Sequence, residues 1–388
     1  MNNSELIKPN LMKGGVHTER EIWGQPDLWK KIYDQAIKEK DSLVSFLKKA
    51  TSNTDLNIVL TGAGSSAFIG LSLIGTYKRN FKKQTTAIAT TDLVTHPTDF
   101  LYPDVPLLLI SFARSGNSPE SVAAVHLADQ VCSKVYHLII TCDATGDLAN
   151  YASGSSSYKF ILPAEANDKS LAMTGSYSGM LLAGLLIARI NEIERLEKQI
   201  LTLRNYGSKL LSQSATFSQI AALNFKRAVF LGSGPLYGTA TESHLKLQEL
   251  TDGRIICKKD SFLGFRHGPK VVIDNETLVF LLFSNQEYVL DYEADLLNEL
   301  NAGPKPLYLA GLTESATFKV DPDKLFVLSD KGVQLDEEFL PVCFVLPGQM
   351  IGFYKSLQSG FDPDSPSSSG TISRVVKGVV IYPYSNKR

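Results

Sequence analysis

The sequence predicts an α/β protein made of two duplicated, doubly wound parallel sheets preceded by an N-terminal helical segment. Three observations predict it. Short apolar runs rich in β-branched residues alternate with stretches of helical periodicity, the runs recur at a near-constant spacing, and glycine- or serine-rich loops follow several of them.

The recurrence is the strongest of the three. "IVLTGAG" begins at Ile58 and "AVFLGSG" at Ala228, 170 residues apart. "LLLISF" at Leu107 and "LVFLLF" at Leu278 are 171 apart, and "LIIT" at Leu138 and "LYLA" at Leu307 are 169 apart. Each run has the length of a buried strand, and "SPESVAAVHLADQV" and "TATESHLKLQELT" read as intervening helices. Strands alternating with helices imply parallel sheets covered on both faces.

The organisation expected is a helical segment over 1–48, a first α/β domain with a linking helix over 49–210, and a second domain with a C-terminal tail over 211–388. Within the first segment, "HTEREIWGQPDLWKKIYDQAIKEKDSLVSFLKKA" reads as two helical pieces broken at Gln25-Pro26, because the residue before proline resists the α region. "MLLAGLLIARINEIERLEKQILTLRNYGSKLL" reads as one long helix with an apolar stripe that packs the halves together. The tail after Gly360 reads as turns followed by a last strand-like run.

Composition narrows the function. The 388 residues are 44% hydrophobic and 20% charged, and 39 Lys plus Arg nearly balance 40 Asp plus Glu, which argues against nucleic acid or a membrane surface as partner. Cys132, Cys142, Cys257 and Cys343 form no CxxC pair and suit reduced thiols. No apolar export segment opens the chain and no stretch is long enough to cross a bilayer, so a cytoplasmic protein is expected. No HExxH or close His/carboxylate group suggests a protein-held metal, and none is expected.

The loop "SFARSGNSPES" leaves the apolar run at 107–112 and enters a helix. Ligands of open α/β sheets bind at that edge, and small hydroxyl residues around a glycine at a helix N-terminus make a cradle for a dianionic phosphate. Ser115, Gly116, Asn117 and Ser118 meet the requirement, with Arg114 beside them. The plainer reading makes Ser118 an N-cap followed by Pro119 and Glu120, and both readings hold together. "TGAGSSAFIG" invites a dinucleotide reading through Gly62, Gly64 and Ala67, but lacks the expected ribose-binding acid unless Asp92 serves.

In the second half, "ESHLKLQE" puts Glu242, Lys246 and Glu249 on one helical face. Such a face is ordinarily a solvated salt-bridged surface. This helix, however, directly follows the duplicate glycine loop, which brings its head to the ligand edge. There a partly buried Glu249 with raised pKa would act as a general base, with Lys246 governing its charge state. His267 in "FLGFRHGPKVVID" is either a structural hydrogen bonder or, from its irregular glycine-rich loop, a functional group.

With these residues in view, the chain from about Glu19 onward resembles the two-SIS-domain sugar-phosphate isomerases, whose domains are flavodoxin-like. The pieces are "EIWGQP", "TGAGSS", "SFARSGNSPES", "LGSGPLYGTATESHLKLQEL", "FRHGP" and "DPDSP", in the family's order. Within the family it is similar to the galactosamine-6-phosphate deaminase/isomerase type, also called tagatose-6-phosphate ketose/aldose isomerase.

The resemblance implies a phosphate loop at Arg114, Ser115, Gly116, Asn117 and Ser118, with Ser65 and Gly64 of the first glycine loop facing the sugar. It implies an acid/base Glu249 with partners Glu242 and Lys246, and a ring-opening His267 contributed across a homodimer interface. Thr174, in "LAMTGS", keeps a hydroxyl of the family's serine-rich stretch where Met173 replaces one. Arg374 stands about where the glutamine-dependent synthase carries a lysine that closes over the sugar.

The loop departs from the family's more usual S-x-S-G-E-T form at Ala113, Asn117 and Ser118. No cysteine precedes Cys132, so no glutaminase step is expected. The implied reaction is deaminating isomerisation of a 2-amino-2-deoxyhexose 6-phosphate without metal or organic cofactor. The alternatives are aldose-ketose isomerisation without ammonia, and a non-catalytic sugar-phosphate sensor.

Overall fold

The computed structural model describes residues 14–151, 154–315, 322–376 and 378–385. The expectations for residues 1–13 lie outside them. The first sheet consists of β1 (Asn57–Gly62), β2 (Gln84–Ala89), β3 (Leu107–Ala113), β4 (Val135–Thr141) and β5 (Ser157–Ile161), in the order β2-β1-β3-β4-β5. The second consists of β6 (Arg227–Gly232), β7 (Ile256–Asp260), β8 (Thr277–Leu282), β9 (Tyr308–Ser315) and β10 (Lys324–Ser329), in the order β10-β9-β8-β6-β7. Read from the opposite edge, the second order repeats the first, and all pairings are parallel. The duplication seen at the spacing of 169–171 residues is therefore a duplication of topology, with the order reversal of a doubly wound sheet beside β1 and again beside β6.

Alternation along each strand divides the apolar side chains between cores. Ile58, Leu60, Leu108 and Ile110 of the first sheet share one buried cluster with Ala228, Phe230, Leu278 and Phe280 of the second. Val59, Leu107 and Leu109 point into a second cluster, and Val229, Leu231, Val279 and Leu281 into a third. A pleated strand sends successive side chains to opposite faces, so each sheet is buried on both sides and the shared core joins the halves.

Two expected helix boundaries move. The N-terminal break falls at Gly24, between helices Val16–Trp23 and Gln25–Lys38. Pro26 sits in the first turn of the second helix, where its missing N–H costs nothing. The single long linking helix is instead Gly175–Ala188, a 3₁₀ stretch Ile190–Leu196, and Glu197–Ser212. Every residue of Gly175–Ala188 is buried, so it is buried all round rather than striped, and Glu192 leaves helical geometry at φ −121° and ψ 16°. The strand-like tail run makes no sheet pairing among the described residues.

Two of the short motifs turn out to be joints. Asp364 of "DPDSP" accepts from the backbone N–H groups of His17 (3.0 Å) and Thr18 (2.7 Å) and from the Thr18 hydroxyl (2.7 Å), holding the head of the first helix. Gln25 of "EIWGQP" is buried, donates to Gln349 at 2.7 Å and accepts from Ser178 at 2.6 Å.

Candidate active site

A cavity of about 670 Å³ opens at the carboxyl edge of the first sheet. Its lining comes from five places far apart in sequence: the loop after β1, the loop after β3, the segment at Leu171 and Met173, the helix Leu236–Leu250 and the tail.

The two loops are shaped by glycines. Gly64 has φ 55° and ψ −128°, which an L side chain rarely adopts, and it starts the helix Ser65–Phe81 with Ser65 and Ser66 in its first turn. Gly116, at φ 70°, turns the chain from β3 into the helix Pro119–Val131. Ser115 and Gly116 line the cavity, and so does Ser118 at the N-cap. The Ser118 side chain makes no capping bond, so the hydroxyl is not spent on its own helix. These hydroxyls meet at the head of a 13-residue helix, the place where an anion is favoured.

Three residues expected at the phosphate loop or sugar are placed otherwise. Asn117 is exposed, does not line the cavity, and accepts from the backbone N–H of Asp147 at 2.9 Å. Arg114 reaches the cavity wall but spends its fork on carbonyls: Nη1 donates to Ser170 (3.1 Å) and Leu171 (3.0 Å), and Nη2 to Arg374 (2.7 Å). Thr174 is wholly buried and does not line the cavity. Its N–H and hydroxyl both donate to Asp168, at 2.8 and 3.3 Å. Arg374 does line the cavity, and is anchored through Nε to the Asp168 carbonyl (2.9 Å) and through Nη2 to Asn167 (2.6 Å).

Facing the serines is the helix Leu236–Leu250. Lys246 and Glu249 line the cavity, and their side chains meet at 2.6 Å. Glu242 lies behind them, fully buried, 3.3 Å from Lys246 and faced by Ser65. Burial pushes the Glu242 carboxyl up to about 7 against the pull of Lys246. Burial likewise disfavours the Lys246 ammonium, but the two carboxylates outweigh it and its pKa is raised. The helical spacing thus yields a buried network of three groups, not a solvated face, and the carboxyl with a raised pKa is Glu242.

His267 is exposed in the loop after the helix Phe262–Phe265 and does not line this cavity. Asp92, the alternative ribose acid, is an exposed residue of the short helix Thr90–Thr95, also away from the cavity. Among the described residues no group of three or more His, Cys, Asp or Glu is placed to hold a metal ion.

Sequence reasoning missed Ser66, Asp168 and most of the tail wall. Asp168 is wholly buried and accepts from Ser176 N–H (2.9 Å) and hydroxyl (2.5 Å) as well as from Thr174. The only signal was an acid a few residues ahead of a helix of small residues, which a solvated loop shows equally. The tail residues Gly370–Arg374 and Val376 close one side of the cavity.

At the duplicate edge of the second sheet the polar groups after β8 are taken up within the chain. After β8 the N–H of Ser284 donates to Glu293 at 2.8 Å and its hydroxyl donates to Glu337, while Asn285 donates to Glu314 at 2.7 Å. The chain's own carboxylates thus fill the position that is open in the first half.

Two such sheets with a serine cradle at one carboxyl edge define a SIS-domain protein, and a SIS domain model matches residues 52–189. The chain is 39% identical over 386 residues to the D-galactosamine-6-phosphate deaminase AgaS of Escherichia coli O157:H7, covering 98% of this chain and 99% of that protein. A crystal structure of tagatose-6-phosphate ketose/aldose isomerase from Escherichia coli matches with a TM-score of 0.87 and 36% identity, over 95% of this chain and 97% of that one. A Clostridium novyi structure, solved as a candidate tagatose-6-phosphate ketose/aldose isomerase, matches with a TM-score of 0.93 and 41% identity over 96% of each chain. The chain belongs to the two-SIS-domain family of sugar-phosphate isomerases and deaminases, and is an enzyme of its AgaS branch.

Proposed function

We propose that the chain converts a 2-amino-2-deoxyhexose 6-phosphate, galactosamine 6-phosphate, to the ketose 6-phosphate, tagatose 6-phosphate, with release of ammonia. The observation that carries this reading is the placement of Glu249, paired to Lys246 at 2.6 Å, in the same cavity as the hydroxyls of Ser115 and Ser118. The names of the AgaS relatives support the substrate class.

The serines and N–H groups at the head of the helix Pro119–Val131 hold the phosphate dianion, which fixes the far end of the sugar. Glu249 takes the proton from C2 of the open-chain aldose, giving an enolamine. Return of the proton to C1 gives a C2 imine, and water adds to it and expels ammonia, leaving the ketose. Lys246 holds Glu249 in place, and Glu242 holds Lys246. His267 lies outside its own chain's cavity, so opening of the sugar ring by His267 requires a second chain, and a cytoplasmic homodimer is the working unit proposed.

The test is direct: incubate the purified chain with galactosamine 6-phosphate and measure ammonia and ketose phosphate. Equal amounts of both are expected. Interconversion of tagatose 6-phosphate with its aldose and no ammonia from the amino sugar would favour simple isomerisation, the activity named for the similar solved structures. Binding without turnover would favour a sensor.

A further inference from the structure

We propose that Met173 sets which C4 epimer of a hexosamine 6-phosphate the cavity accepts, an inference that rests on the reading above. The cavity is chemically two-sided. Serines 65, 66, 115 and 118 with Lys246 and Glu249 supply hydrogen-bonding groups, while Leu171, Met173 and Phe112 present apolar surface.

Met173 is held in place by its neighbours. Asp168 takes four hydrogen bonds from Thr174 and Ser176 immediately after it, and the N–H of Leu171 donates to the Asp364 carbonyl at 3.0 Å just before it. Glu21 accepts from the N–H groups of Lys169 (2.5 Å) and Ser170 (3.3 Å). A side chain on a segment pinned at both ends is part of a preformed wall.

The contacts of its segment reach from the loop after β3 to the loop after β1. The Leu171 carbonyl accepts from Arg114, beside the phosphate loop, and the Met173 sulfur accepts from Ser66 at 3.9 Å. Ser66 adjoins Ser65, which faces the acid/base helix at Glu242. With the phosphate at the serine loop and C1 and C2 at Glu249, as the proposed reaction requires, the thioether would face the stretch of sugar between them.

Galactosamine and glucosamine 6-phosphates differ only in which side of C4 carries the hydroxyl. A thioether is a weak acceptor and no donor, so it accommodates C–H and leaves a hydroxyl pressed against it without a good partner. An apolar wall rejects an added hydroxyl by about a hundredfold at most, which sets the scale of discrimination.

The experiment measures Kd for both epimers by calorimetry, in a Glu249→Gln background that silences turnover, for Met173, Met173→Ser, Met173→Thr and Met173→Leu. The Ser and Thr variants are expected to change the ratio of the two Kd values fivefold or more. The Leu variant should keep the ratio within fivefold, and the Kd for inorganic phosphate should stay the same throughout. A change below fivefold in both hydroxyl variants, or an equal change in the Leu variant, overturns the proposal. Loss of inorganic phosphate binding in the variants overturns it too, since that is general disruption of the cavity. Absence of ammonia with unmutated chain refutes the deaminase reading separately, because the Kd ratio does not depend on turnover.

Discussion

Arg114 donates to the backbone carbonyl of Arg374 at 2.7 Å, and Arg374 in turn donates to the carbonyl of Asp168 at 2.9 Å. Two arginines 260 residues apart thus stitch the tail to the loop behind the serine residues. Arg114 is 6% exposed, yet no carboxylate lies within ion-pair distance of it among the described residues. Its fork is spent on the three carbonyls that join this wall.

That arrangement predicts the behaviour of Arg114→Met. Three carbonyls lose their donor, with a stability loss of about 3 kcal/mol in urea unfolding and faster proteolytic cutting of the tail. Arg114→Lys is expected to recover only part of the loss, since an ammonium is a point charge without a fork. Full recovery by lysine in both measurements would show that charge alone matters.

Glu249→Gln is expected to lower kcat by about 10² to 10⁴-fold with sugar-phosphate binding retained, because an amide neither takes nor returns a proton. Steady-state turnover and calorimetric binding measured side by side check it. Unchanged turnover would remove Glu249 from the chemistry.

Ser115→Ala is expected to weaken binding of the sugar phosphate about tenfold to a hundredfold, the value of one hydrogen bond to a charged group. The loss should be much smaller for the sugar lacking its phosphate. Inhibition constants for the two ligands give the comparison.

Gly64 has φ 55° with nothing within 4 Å of an added Cβ. Gly64→Ala is therefore expected to cost about 1–3 kcal/mol through backbone strain and not through a clash. Chemical denaturation measures it, and Gly234, the duplicate position with the same φ of 55°, should respond alike.

Glu293 supplies the pH prediction. Burial pushes its carboxyl from 4.5 up to about 8, and Glu337 across Ser284 adds to the rise against the pull of the Ser284 N–H. The folded chain then holds a proton that the unfolded chain releases, so stability is full below pH 4.5 and falls as pH rises towards 8. The expected slope is about 1 kcal/mol per pH unit. Glu293→Gln should flatten it, leaving the smaller share that Glu242 contributes below its pKa of about 7. Melting temperatures across this range, for both chains, decide the matter.

Much of this molecule was legible before any fold was seen. The central strands β1, β3 and β4 and their duplicates are apolar runs whose alternation is written locally, and the serine loop and the Glu242–Lys246–Glu249 face follow from spacing along one element. Edge strands β7 and β10 were not legible, because their half-exposed residues mix polar with apolar and their pairing partners lie elsewhere in the chain. The kink of the linking helix at Glu192 was not legible, because the apolar periodicity continues across it.

The loops show where local pattern stops being informative. Residue order alone put a glycine and small hydroxyls at the head of the helix Pro119–Val131, since that requirement belongs to one turn of chain. It left open that Asn117 turns to Asp147, Thr174 to Asp168 and Arg114 to the tail. In an irregular segment no period fixes where a side chain points. Its direction is settled by partners 6 to 260 residues away that arrive only when both sheets and the tail have packed.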